Sequence, residues 1–175
     1  MAKVALLRGI NVGGANALPM AELKALCARL GWHDVQSYVA SGNLVFDAEG
    51  TPEALSERLE QALRETHGLE VPVLVLDGET LRAAHAGCPF VPDDPRQVHL
   101  CFLYASPDPD LALYEQRKAE GDGLEIGEGV AWLHTPGGFG RSKLGAALER
   151  ILGTQLTARN LRSVARLVEM LDARR

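Results

Sequence analysis

Val71-Pro72-Val73-Leu74-Val75-Leu76 reads as a short strand with a proline inside it. Proline has no amide proton to give to a neighbouring strand, so this segment belongs at the edge of a sheet. Immediately before it, Thr51-Pro52 has the cap-then-proline order of a helix start. Leu55, Leu59, Leu63 and Thr66 continue one helical face until Gly68 closes it. Further upstream, Asp34–Ala40 and Leu44–Asp47 are strand-like runs joined at Ser41-Gly42-Asn43, a favoured tight-turn sequence, so they predict a hairpin. Pro19 suits a helix start, with Met20, Leu23, Cys27 and Leu30 at helical spacing and Gly31 as the stop. Val4–Leu7 is an uninterrupted apolar run, as expected of a strand at the centre of a sheet.

The order is therefore β-α-β-β-α-β, the split βαβ or ferredoxin-like topology, in which the fourth strand occupies an edge as Pro72 requires. The second half repeats the pattern incompletely. Val98–Tyr104 predicts a strand, Asp108–Ala119 a helix, and Leu124–Ile126 with Val130–His134 a second hairpin around Gly127-Glu128-Gly129. Helices over Ser142–Leu152 and Asn160–Ala173 finish the chain. Asp77–Phe90 holds one more helix, and Pro89, Pro92 and Pro95 mark a connector. The expected class is α+β: two ferredoxin-like halves, the second incomplete, with additional C-terminal helices. The expected boundaries are a first subdomain over 1–76, a helical connector over 77–96 and a second subdomain over 97–175.

Composition sets the broad class. In 175 residues, 46% are hydrophobic and 23% charged, which excludes a disordered, collagenous or membrane-spanning chain. Cys27, Cys88 and Cys101 are odd in number and far apart, so the expectation is a reduced, cytoplasmic protein. The short apolar stretch after Met1 is ended by Arg8 too soon for a signal peptide. The net charge of −5 is unevenly spread: residues 141–175 carry 8 Lys and Arg against 3 Asp and Glu, whereas the rest of the chain is acidic. Such a balance argues against long nucleic acid but leaves room for a small anion or an acidic partner.

Strands one and two of a split βαβ run in the same direction, so the loop after the first and the turn after the second emerge at one end of the sheet. Arg8, Gly9, Asn11, Gly13 and Gly14 should thus meet Ser41, Gly42 and Asn43. Convergent glycine amides beside Arg8 form a nest suited to a carboxylate or phosphate. The competing reading is that these glycines and asparagines serve only a tight loop and a hairpin. Gly9–Gly14 has neither the GxGxxG spacing nor a P-loop ending. Pro136-Gly137-Gly138-Phe139-Gly140-Arg141-Ser142-Lys143 follows a strand and opens a helix, which is a second anion signal. There the competing reading is a connector with Ser142 as cap and Lys143 as a solvated side chain. Arg159, Arg162 and Arg166 recur at helical spacing as one basic face, with Thr157 and Asn160 read as caps. The five histidines are scattered without metal spacing, Ser41 is not in a GxSxG elbow, and no nucleophile, catalytic group or cofactor is assigned. The 9 aromatics form no RNA-binding strand motif.

Arg8–Gly14, then Met20 and Leu23, then Tyr38–Phe46 resemble the opening signature of domain-of-unknown-function family 1697. Gly140–Leu144 and Thr157–Asn160 look like that family's second and third motifs. The resemblance implies an α+β chain of two ferredoxin-like halves and brings no activity, substrate or cofactor. It also implies that Arg8, Asn11, Ser41, Asn43, Lys143, Thr157, Arg159 and Asn160 are characteristic positions. Leu161 stands where the family often has an aromatic. The leading expectation is a small-molecule site between the halves, taking a phosphate- or carboxylate-bearing anion. Its ligand-binding residues are Arg8, Asn11, Gly13, Gly14, Ser41, Gly42, Asn43, Lys143, Thr157, Arg159 and Asn160. The alternative is a non-enzymatic module that docks an acidic protein or RNA through a basic C-terminal helix.

Overall fold

The computed structural model describes residues 1–174. It is an α+β protein with two four-stranded antiparallel sheets. The chain divides into two compact units, Met1–Ala83 with Arg166–Arg175, and Ala84–Ala165.

In the first unit β1 (Ala2–Leu7), α1 (Met20–Arg29), β2 (His33–Tyr38), β3 (Asn43–Asp47), α2 (Pro52–His67) and β4 (Val73–Asp77) follow in the expected order. The sheet order is β2-β3-β1-β4, so β1 is central and β4 lies at the edge. Val4, Ala5, Leu6 and Leu7 are all fully buried, as their unbroken apolarity requires. Ala5, Leu7, Leu44, Phe46, Val73 and Val75 form the sheet side of a core closed by Leu23, Leu26 and Cys27 of α1 and Leu55, Leu59 and Leu63 of α2. Pro72 stands just before β4 rather than within it. The exposed edge is instead covered by α2: the Val73 amide donates to Glu60 Oε1 at 3.0 Å and the Val75 amide to Ser56 Oγ at 2.9 Å. Side chains of one helix thereby replace the missing neighbour strand.

α3 (Gly78–Ala86) leads to the second unit, where β5 (Val98–Leu103), α4 (Leu111–Arg117), β6 (Gly123–Ile126), β7 (Val130–His134), α5 (Lys143–Ala146), α6 (Leu148–Leu152) and β8 (Leu156–Asn160) precede the final helix α7 (Leu161–Asp172). The sheet order β6-β7-β5-β8 repeats that of the first unit element for element. The half is therefore complete, and the fourth strand that periodicity does not reveal is Leu-Thr-Ala-Arg-Asn. With Leu156 as its only large apolar side chain, this strand has almost no sequence signature. It is held by its register on β5, from Leu103 opposite Leu156 to His99 opposite Asn160. The helix expected over 142–152 is broken at Ala147 into two short helices. Leu144, Leu148, Ile151 and Leu152 still bury together against Cys101, Leu103, Ala131 and Leu133.

Candidate functional site

The loop after β1 and the turn before β3 do meet. The Leu7 amide donates to the Gly42 carbonyl at 2.9 Å, and Asn11 Nδ2 donates to the Ala40 carbonyl at 2.8 Å. A Cβ on Gly42 would fall 2.7 Å from Leu7 Cβ, and its φ of +90° is left-handed, so only glycine lets the turn approach β1 so closely. Asn11 also donates to the Leu18 carbonyl at 2.9 Å and accepts the Leu18 amide at 2.7 Å, pinning the loop to the entry of α1. Buried Asn43 donates to the Tyr38 carbonyl at 3.1 Å and to Ser41 Oγ at 3.2 Å. Gly13 and Gly14 are the centre of a tight turn closed by Ala15 N–H to the Val12 carbonyl at 2.9 Å, both with positive φ. Arg8 lies at the start of this loop, its amide donating to the Pro72 carbonyl at 3.0 Å. Seven of the expected site residues thus share one corner, where the amide side chains of Asn11 and Asn43 bond to backbone.

The four expected residues of the second unit separate. Thr157 is a buried residue of β8, not a helix cap, because the chain there is paired to β5. Its hydroxyl accepts from Arg159 Nη1 at 2.8 Å, and the same nitrogen donates to the Ala158 carbonyl. Burial lowers the Arg159 pKa to about 10. Asn160 is a cap, its Oδ1 accepting the Ser163 amide at 2.8 Å. The expected three-arginine face is therefore corrected: Arg159 belongs to a strand, and only Arg162 and Arg166 stand exposed on α7. Arg166 pairs with Glu169 at 3.1 Å.

Lys143 lies elsewhere, in a groove of about 390 Å³ that includes neither Thr157, Arg159 nor Asn160. The groove is bounded by the end of α4 and the following loop (Gln116–Glu120 and Asp122) and by Gly137, Gly138, Arg141, Ser142 and Lys143. Four cations, Arg117, Lys118, Arg141 and Lys143, face two carboxylates, Glu120 and Asp122. Lys118 Nζ sits 5.5 Å from the Tyr114 ring centroid. Among the described residues, Arg117, Arg141 and Lys143 make no ion pair or side-chain hydrogen bond.

The groove walls are themselves braced. Ser142 Oγ accepts the Gly145 amide at 2.9 Å, the Gly138 amide donates to the Thr135 carbonyl at 2.9 Å, and Asp122 accepts the Ala119 amide at 3.0 Å. Between Gly138 and Gly140, Phe139 stacks on His99 with centroids 4.0 Å apart, and burial pushes the His99 pKa down to about 4. Sequence reasoning singled out Lys143 in its glycine-rich run but missed Arg141 beside it, and Arg117 and Lys118, whose place depends on the packing of α4 against α5.

The Cys27 and Cys101 thiols are pushed up to about 12 by burial, which leaves them inert as nucleophiles. Among the described residues no His, Cys, Asp and Glu side chains group so as to hold a metal ion, and no helix is long and apolar enough to cross a membrane.

Two modules of one split βαβ topology, with a cation-lined groove in the second, define the class of protein. The chain belongs to the family described as Protein of unknown function (DUF1697), whose model matches residues 1–132. The matched stretch includes Arg8–Gly14 and Tyr38–Phe46 and ends before Gly140–Leu144 and Thr157–Asn160. The fold is similar to that of the conserved bacterial protein SP0830 from Streptococcus pneumoniae, with a TM-score of 0.75 and 26% identity over 97% of this chain and 98% of that one. No curated protein matches the sequence.

Proposed function

We propose that the protein binds a small anionic molecule bearing a phosphate or carboxylate, and that the groove around Lys143 is where it does so. The observation that supports this reading is a set of cations without internal partners among the described residues, at the end of α4 and along the braced segment that opens α5. Gathering Arg117, Arg141 and Lys143 on one surface costs mutual repulsion, which no carboxylate partner among the described residues offsets by direct pairing. An arginine fork and a lysine point charge are complementary ways to hold phosphate or carboxylate oxygens. In this reading Lys143 contacts the ligand, while Asn11, Gly13, Gly14, Gly42, Asn43, Thr157, Arg159 and Asn160 shape the backbone. Arg8 and Ser41 mark the corner of the first unit.

Titration calorimetry with inorganic phosphate against chloride at matched ionic strength tests it. The expected dissociation constant is on the order of 0.1–1 mM, as for a few solvent-facing charged contacts. It should weaken at least tenfold in the Arg141→Ala, Lys143→Ala double variant. Equal heats for phosphate and chloride, or equal binding by the variant, would reject the proposal.

The docking alternative has less support, because α7 carries two exposed arginines and one of them is paired with Glu169.

A further inference from the structure

Resting on that reading, the groove lining narrows the ligand class. We infer that the groove around Lys143 takes a phosphorylated sugar or polyol, with the phosphate on Arg117, Arg141 and Lys143 and hydroxyl groups on Glu120 and Gln116. Three features point this way.

No aromatic side chain lines the groove, and Ala119 is its only wholly apolar side chain. A nucleobase would have no face to stack on, so the usual source of nucleotide affinity is missing. The two rings nearest in sequence to the cations are outside the lining: Tyr114 lies under Lys118, and Phe139 is stacked on His99.

Glu120 and Gln116 are exposed and make no side-chain hydrogen bond among the described residues, whereas Asp122 is committed to the Ala119 amide. A carboxylate placed among phosphate-binding cations weakens the binding of a bare anion. It becomes useful only when the ligand also brings hydrogen-bond donors, and sugar hydroxyls are such donors. The volume of about 390 Å³ is at the lower end of small-molecule sites, enough for a hexose monophosphate.

The equivalent place in the first unit is different. There Leu30, Gly31, Trp32, His33, Ala48, Glu49 and Arg58 border a smaller depression of about 250 Å³. Trp32 stacks on Phe46 beneath it, and its single arginine donates to the Leu30 carbonyl at 2.9 Å. The same topology therefore closes that end with ring packing in one module and opens it to uncommitted polar groups in the other.

Calorimetry on the full chain with inorganic phosphate, glycerol 3-phosphate, glucose 6-phosphate and adenosine 5′-monophosphate, at one ionic strength, decides the matter. At least one of the two hydroxylated esters should bind tenfold or more tighter than inorganic phosphate, and the adenosine ester should gain less than threefold. Glu120→Ala should pull the ratio between that ester and inorganic phosphate back towards one. If inorganic phosphate binds but neither polyol ester improves on it, or the adenosine ester is the tightest, or the ratio survives Glu120→Ala, this inference fails and the anion reading stands. If none of the four binds, the anion reading itself fails.

Discussion

The two modules make the same joints and then diverge. At the end of β1, Leu7 N–H reaches the Gly42 carbonyl and Arg8 N–H the Pro72 carbonyl. At the end of β5, Leu103 N–H reaches Gly129 and Tyr104 N–H reaches Gln155, at almost the same distances. In both, the first strand is locked between the hairpin turn and the approach to the fourth strand. What differs is the chain hung on these joints. After β1 comes a glycine and asparagine loop braced on itself. After β5 the backbone fastens at once to α6, with Asp108 N–H on the Leu152 carbonyl at 2.9 Å and Asp110 N–H on Ile151 at 2.7 Å. At the other end, residues 48–51 join β3 to α2, whereas 135–142 join β7 to α5, a connection twice as long. A fixed frame thus leaves loop length and composition free, and the open cationic groove arises where that freedom is used.

The largest expected effect separates the two hairpin glycines. Gly42→Ala forces a Cβ to 2.7 Å from Leu7 Cβ at a left-handed φ, and should cost about 3 kcal/mol of unfolding free energy. Gly129 has a similar φ of +74° but nothing within 4 Å, so Gly129→Ala should cost only about 1 kcal/mol. Urea unfolding of both variants measures this, and equal losses would show that the joints are not distinguished by packing at all.

The next effect concerns the first strands themselves. Lys3, opposite Asp77, has its counterpart in His99, opposite Asn160. Lys3 pairs with Asp77 at 2.7 Å, whereas half-buried His99 stacks on Phe139 with its buried Nδ1 lacking a partner among the described residues. Its pKa falls from 6.5 to about 4 through desolvation. The unfolded chain therefore binds the proton more readily than the folded one between these values. Stability is complete above pH 6.5 and declines as the pH falls towards 4. Between pH 7.5 and 5 the loss from this group should be about 2 kcal/mol. His99→Leu should remove that share of the acid sensitivity, and an unchanged pH slope would count against the assignment.

The legible part of this architecture is the part written in apolar periodicity. Val4–Leu7, the leucines of α2 and the run after Pro72 give the first module strand by strand, and Gly42 and Asn43 announce its hairpin. Leu156–Asn160 was hidden because edge strands need few apolar side chains, and its Thr157 looks like a helix cap, as Asn160 is, when the pairing with β5 is unseen. For the candidate site, topology correctly joined Asn11 to the Gly42 turn, yet side-chain type could not say that Asn11 and Asn43 bond to backbone. Arg117 and Lys118 end one helix while Arg141 and Lys143 flank another, and nothing in the intervening sequence measures the gap between them. Only Lys143 was legible, through its glycine-rich run.

The smallest effect tests the remaining difference between the hairpins. The first turn places Val39, a β-branched and half-exposed side chain, at a φ of +51°. The second uses Gly127, Glu128 and Gly129, so its left-handed position falls on glycine. Left-handed backbone costs a branched side chain roughly 1–2 kcal/mol, whereas asparagine tolerates it. Val39 recovers little of this by packing, since 52% of it is exposed. Val39→Asn should therefore raise the unfolding free energy by about 1 kcal/mol without touching the groove of the second module. A lower melting temperature would mean that Val39 holds the corner of Asn11 and Ala40 through contacts worth more than its strain. The two hairpins would then differ in packing as well as in turn chemistry.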